Sequence, residues 1–215
     1  HHLASLWPDV TPFAEEGLIA ISIMNSFACG VPVGASAPIL GTNPFAFAAP
    51  IPGQAPLVFD FATTSMSNGD VQIAAREGKV LPEGRGLDRN GLPTTDPQAI
   101  LDGGALLPFG GHKGSALSLM IELLVPALTG GLFSSQVDWS SHPGAATPNT
   151  GQVLIGIDPS GGVYDRQASA FAEMLRDAGM AHYPGLRRWL IRNRDTVVMT
   201  SDRIARLEAL AQGAA

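Results

Sequence analysis

Apolar residues in the first third of the chain fall into short runs with a period of two. Ile19, Ile21 and Ile23 alternate between Leu18 and Met24, the spacing that buries one face of a β-strand. Phe45–Ala49 and Leu57–Phe61 are two further short strands, separated by the turn signal Pro50-Ile51-Pro52-Gly53. Ahead of them, Phe13–Gly17 read as the end of a short helix closed by glycine, and Gly30–Ala37 as a Gly/Pro/Ala loop. Ser67-Asn68-Gly69-Asp70 lead into a helix over Val71–Glu77. Gly84–Gly104 is polar and rich in turn residues, a long surface excursion. The run from Ser115 to Thr129 is apolar enough for a buried helix, with Pro126 kinking or shortening its last turn. After an irregular stretch over Ser134–Thr150, Val153–Ile157 form one more strand. Arg166–Gly179 and Asp202–Gln212 are amphipathic helices, the second capped by Ser201. Strands crowd the first part and helices the last, which predicts an α+β fold rather than a regular βαβ alternation.

The stretch with most chemistry is Gly110-Gly111-His112-Lys113-Gly114-Ser115, directly before that apolar run. Two glycines allow a tight turn, and a helix opening there would offer free N–H groups and the positive end of its dipole to an anion. Lys113 adds a full charge and His112 a titratable donor. It is neither a Walker loop nor a dinucleotide fingerprint, so a plain helix-start turn and a phosphate site both stay open. Asp60, ending Val58-Phe59-Asp60, reads either as a turn cap or as a contact to a ligand lying across strand ends. Asp70 sits in a first helical turn, where the dipole alone favours a carboxylate. Thr42-Asn43-Pro44 reads as a turn, and Arg187-Arg188 as a solvated pair or an anion clamp.

Composition removes several function classes. The chain has 215 residues, 45% hydrophobic and 15% charged, which suits a packed core and not disorder. A net charge of −6 with scattered basic residues offers nothing to nucleic acid. Cys29 stands alone, so neither a disulfide framework nor a cysteine zinc site is expected, and a reducing compartment is the default. The five histidines lack ligand spacing, so no metal is expected. The longest apolar run, Ala116–Leu128, carries Glu122 and falls short of the roughly 20 residues that span a bilayer. These features describe a soluble, cytoplasmic chain with no membrane partner.

Three segments taken together carry more than any one of them. Gly41-Thr42-Asn43-Pro44-Phe45-Ala46-Phe47-Ala48-Ala49-Pro50, Val58–Thr63 and Leu107–Ser115 resemble, in this order, the type-2 malate/L-lactate/ureidoglycolate dehydrogenase family, and the likeness continues through Pro184-Gly185-Leu186-Arg187-Arg188. The resemblance is strongest to the Δ1-piperideine-2-carboxylate/Δ1-pyrroline-2-carboxylate reductases. It rests on His1–Val10, Gly69–Arg76 and Asp138–Gly144. His1-His2, which alone would pass for a tag remnant, therefore read as native residues.

The resemblance implies a non-Rossmann nicotinamide-binding fold with a mixed sheet. Residues 1–180 would form the α+β cofactor- and substrate-binding domain, and residues 181–215 a helical segment that packs on an N-terminal helical region. It implies cofactor contacts from His2, Leu3, Ala4, Ser5 and Leu6, from Asp60, Phe61 and Ala62, from His112 and Lys113, and from Arg187 and Arg188. Thr42 would hold the substrate, and Asp70 would be the acid member of a Ser-His-Asp proton relay. The hydroxy-acid dehydrogenases of the family tend to carry lysine where Asp70 stands, and Leu186 replaces the family's usual glutamate. The relay's serine and histidine belong to the N-terminal region that this chain lacks, so the chain reads as a fragment, silent by itself. The implied reaction is NADPH-dependent reduction, with NADH possible, of a cyclic imine carboxylate to L-pipecolate or L-proline, by a homodimer when full-length. A malate/L-lactate-type 2-hydroxy-acid dehydrogenase and a non-catalytic nucleotide-binding fragment are the alternatives.

Overall fold

A four-stranded antiparallel sheet joins three strands from the first third of the chain to one from near residue 155, and the computed structural model describes residues 5–138, 140, 150–192 and 196–213. Helix α1 (Trp7–Glu15) leads into β1 (Ile19–Met24), β2 (Phe45–Ala49) and β3 (Leu57–Phe61), then α2 (Asn68–Arg76). A second unit follows with β4 (Gly86–Leu87), β5 (Pro93–Thr94), α3 (Pro97–Leu101) and β6 (Ala105–Leu106). Next come α4 (His112–Leu124), α5 (Pro126–Thr129), β7 (Gln152–Ile157), α6 (Val163–Asp177), α7 (Leu186–Ile191) and α8 (Ser201–Ala211).

The main sheet runs β3-β2-β1-β7, with Ile21 opposite Phe47 and Ile155, and Ala46 opposite Asp60. Alternation sorts its two faces by size. Ala20, Ala46 and Ala48 look to α1, and their small side chains let Leu6, Val10 and Ala14 settle against the strands. The opposite face carries Phe45, Phe47, Phe59 and Phe61, stacked with centroids 5.3–6.1 Å apart. Ile121 and Val125 cover it around Ile21, Ile23, Phe45 and Val153. At the outer edge of β3, the Val58 N–H donates to the Pro184 carbonyl at 3.0 Å. Gly185 follows at φ +94°, where an added Cβ would lie 2.9 Å from the backbone of Val58.

Several expectations are corrected. All pairings between named strands are antiparallel, so the sheet is not mixed. Gly84–Gly104 is no mere surface excursion. Its short strands order as β5-β4-β6, and Ile100 and Leu106 join Val71 and Leu81 in a core of their own. The helix expected from Ser115 starts at His112 and breaks at Val125, before Pro126, whose missing N–H cannot continue the ladder. Nor is it buried all round, since Leu123 and Leu128 are exposed. Thr200, not Ser201, is the N-cap of α8, and it makes no side-chain cap bond. Ile204, Leu207 and Leu210 on α8 are all exposed. Among the described residues no helix is long and apolar enough to cross a membrane.

Candidate active site

One cleft of about 1140 Å³ opens where β3 ends, α1 begins and α2 begins. Each wall has a local cause. Asp60, in β3 opposite Ala46, points its carboxylate to the start of α1, where Oδ2 accepts the N–H groups of Leu6 at 2.7 Å and Trp7 at 3.0 Å. That satisfies donors a helix cannot satisfy internally, and it fastens α1 to the strand end. The cap thus serves a helix 54 residues earlier in the chain, not the turn that follows Asp60. Oδ1 of Asp60 has no donor among the described residues. The Arg188 guanidinium lies 4.3 Å from the Trp7 ring centroid, a cation–π contact that brings α7 to the same wall.

The start of α2 also lines the cleft. Ser67 caps the helix by accepting the Asp70 N–H at 3.0 Å, and its hydroxyl donates to Asp70 Oδ2 at 2.8 Å. This Ser-x-x-Asp exchange is a variant of the capping box. Asp70 is exposed to the cleft, and its Oδ1 has no donor among the described residues.

The floor comes from a backbone weave. Thr63 donates its N–H and its hydroxyl to the Thr42 carbonyl, at 2.8 and 3.0 Å. Phe109 donates its N–H to the Thr63 carbonyl, and Ser65 to that of Leu107. The weave draws the glycine loop against the cleft, with Phe109 set edge-on to Phe61 at 5.5 Å. Gly110 and Gly111 hold φ at +54° and +61°, which explains both glycines as backbone requirements. The N–H groups of Gly110, Gly111 and His112 have no acceptor among the described residues, and Lys113 has no carboxylate partner there. An anion fits that helix start on donor count and charge.

Of the sequence-derived candidates, the cleft brings together Ser5, Leu6, Thr42, Asp60, Phe61, Ala62, Asp70 and Arg188. His112 and Lys113 lie beyond Phe109, off the lining, and Arg187 is exposed on α7 away from it. His2, Leu3 and Ala4 are outside the described residues, as is His142. The plain-turn reading of Thr42-Asn43-Pro44 is corrected: Asn43 is completely buried, at φ +35°, in a hydrogen-bonded cluster with Ser118 and Glu122. Trp7 also lines the cleft, and its contact with Arg188 on α7 is a long-range pairing that no local pattern signals. Among the described residues no cluster of His, Cys, Asp or Glu could hold a metal.

Cys29 lies behind Thr42. Burial pushes its thiol up to about 12, while a hydrogen bond from the Thr42 backbone pulls the other way. The neutral thiol therefore supports the fold below the ordinary thiol value of about 8.5, and that support is lost as pH rises toward 12. Cys29 is half-buried, and its raised thiol pKa keeps it neutral at pH 8, so iodoacetamide is expected to alkylate it far more slowly in the folded chain than after denaturation, as read by mass spectrometry. Equal rates in the two would contradict this.

Comparison with known proteins supplies the frame. The family model for malate/L-lactate dehydrogenase matches residues 1–198. A Δ1-pyrroline-2-carboxylate/Δ1-piperideine-2-carboxylate reductase of Pseudomonas syringae pv. tomato is 57% identical over 98% of this chain and 63% of its own length. The reductase of the same description from Pseudomonas putida is 56% identical over 99% of this chain and 62% of its own length. The crystal structure of Δ1-piperideine-2-carboxylate reductase from P. syringae superposes with a TM-score of 0.92 at 56% identity, over 98% of this chain and 65% of that one. This chain spans under two thirds of the length of these relatives.

Proposed function

The chain belongs to the malate/L-lactate dehydrogenase family, and from that premise we propose that it carries the cofactor and substrate cleft of a nicotinamide-dependent reductase of cyclic imine carboxylates. The observation that supports this most is that Asp70 lines the same cleft as Asp60 and Arg188, in a chain 57% identical to such a reductase. The products would be L-pipecolate or L-proline, and the full-length enzyme a cytoplasmic homodimer.

Reducing a C=N bond requires a hydride at carbon and a proton at nitrogen. When bound, NADPH (or NADH) supplies the hydride. The chain's own residues do the rest. Lys113, with the glycine-loop N–H groups that have no acceptor among the described residues, would hold cofactor phosphate together with His112. Asp60, Phe61, Ala62, the Ser5–Leu6 segment and Arg188 hold the remainder, with Arg187, His2, Leu3 and Ala4 as further contacts. Asp60 does this through Oδ1, since Oδ2 is committed to α1. Thr42 meets the substrate on the floor. Asp70 orients and charges the relay histidine that protonates the ring nitrogen, that histidine and its serine coming from the part of the relatives this chain does not span.

Steady-state assays on a version completed to its relatives' length test the reading. Turnover of Δ1-piperideine-2-carboxylate with NADPH is expected, at a kcat/KM well above that for pyruvate or oxaloacetate with NADH. The reverse order would favour a 2-hydroxy-acid dehydrogenase, and cofactor binding without turnover a nucleotide-binding module. Lys113→Ala is expected to weaken NADPH binding by roughly 1.5–3 kcal/mol, the worth of a charge-assisted hydrogen bond. Unchanged affinity in calorimetry on a folded variant would return the loop to a plain helix start.

A further inference from the structure

Behind the cleft floor lies a buried polar cluster to which the proposed reaction assigns no part. Asn43 holds φ at +35°, the one non-glycine residue with positive φ among those described. Asparagine adopts positive φ more readily than other non-glycine residues, and buried side-chain bonds then hold it there. Asn43 Nδ2 donates to Glu122 Oε1 at 2.8 Å and to the Ser118 hydroxyl at 2.9 Å, and Oδ1 accepts the Ser26 N–H at 3.2 Å. Glu122 is itself buried. Ser134 donates its N–H to Oε2 at 3.1 Å and its hydroxyl to Oε1. No lysine or arginine pairs with this carboxylate among the described residues. A buried carboxylate without a cation is a costly way to fill space. What it holds accounts for it better than what it adds to the core.

What it holds is the Gly41–Pro44 segment that displays Thr42. Gly41, on one side, packs so tightly that an added Cβ would stand 2.5 Å from Asn43 Oδ1 and 2.9 Å from the Ser26 nitrogen. Asn43, on the other side, is locked through Glu122. Between them the Thr42 carbonyl is taken by Thr63, and Thr42 lines the cleft. We infer that Asn43 and Glu122 are positioning residues, clamping the Gly41–Pro44 segment so that Thr42 presents one orientation to the imine carboxylate. This rests on the assignment of Thr42 to substrate.

Two variants test the clamp. Asn43→Gly tolerates positive φ but removes every side-chain bond, and Glu122→Gln keeps the size while turning an acceptor into a donor that faces donors. In the chain itself, amide exchange at Thr63 reports the hold on the Thr42 carbonyl, and both variants are expected to speed it by about tenfold or more. Unchanged exchange overturns the inference whether or not the protein is active. In the version completed to its relatives' length, both variants are expected to raise KM for the imine by about tenfold, with kcat and the cofactor KM within about threefold. A merely structural part would instead lower kcat at constant KM, through loss of active enzyme. Thr42→Val separates the two ideas. If it leaves the imine KM unchanged, the substrate role of Thr42 falls, and so does the purpose given to the clamp. If it raises KM while Asn43→Gly does not, the clamp alone falls.

Discussion

Asp70→Asn, in a version completed to its relatives' length, is expected to lower imine turnover by about 10²–10⁴-fold while NADPH affinity stays within twofold. The substitution is chosen for what it preserves. An asparagine Oδ1 still accepts the Ser67 hydroxyl, so the start of α2 keeps its cap and Tm barely moves. What it loses is the charge that favours a protonated imidazole and the acceptor that sets that ring's tautomer. Ser67→Ala supplies the control, because it removes both bonds of the cap. It is expected to cost about 0.5–2 kcal/mol of stability, with turnover per folded molecule close to normal. If Asp70→Asn loses activity only in step with Tm, the carboxylate is a cap and nothing else. A rate loss with an unmoved Tm supports the relay.

Gly114→Ala is expected to destabilise the chain by about 3 kcal/mol, near the upper end for overpacking. A helix normally gains from this change, about 1 kcal/mol by propensity alone. Here the new methyl would stand 2.5 Å from the Thr63 carbonyl oxygen, 2.6 Å from that of Phe109 and 2.8 Å from the Phe109 nitrogen. All three are backbone atoms, so no side chain can swing aside to relieve the clash. Either α4 lifts from the floor, or the bonds from Phe109 to Thr63 and from Gly114 to Phe109 break. Clash therefore outweighs propensity. Urea melts should show a lower midpoint at an unchanged slope, and an equal or higher midpoint would mean that α4 does not press on Thr63 as described.

Gly114 also shows why the site was only partly legible in the sequence. A glycine in a helix start reads as permissive backbone, yet its reason here is a carbonyl contributed by Thr63, some fifty positions away, which no local pattern reveals. Strands β2 and β3 were legible to the residue, because alternation and the Pro-Gly turn act locally. The small β5-β4-β6 sheet was not, since pairs of two residues carry no periodicity and are held by the core around Val71 and Leu106. Asn43 stayed hidden for a related reason. Beside a proline it signals a turn, yet the structure has none there, and its burial is decided by Ser118 and Glu122 on a helix far along the chain. The grouping of Thr42, Asp60 and Asp70 came through family likeness; periodicity alone left each with a bland structural reading.

The segment bordering β3 has a consequence for how this sheet behaves in company. An exposed strand edge is a template, and each neighbour that adds to it presents a fresh template in turn. Pro184 satisfies the Val58 N–H with its carbonyl but owns no N–H to return, and Gly185 at φ +94° turns the chain away at once. The border takes one hydrogen bond and offers no continuation. On that flank, growth of the sheet by stacking one molecule's strands onto another's has been terminated by two residues.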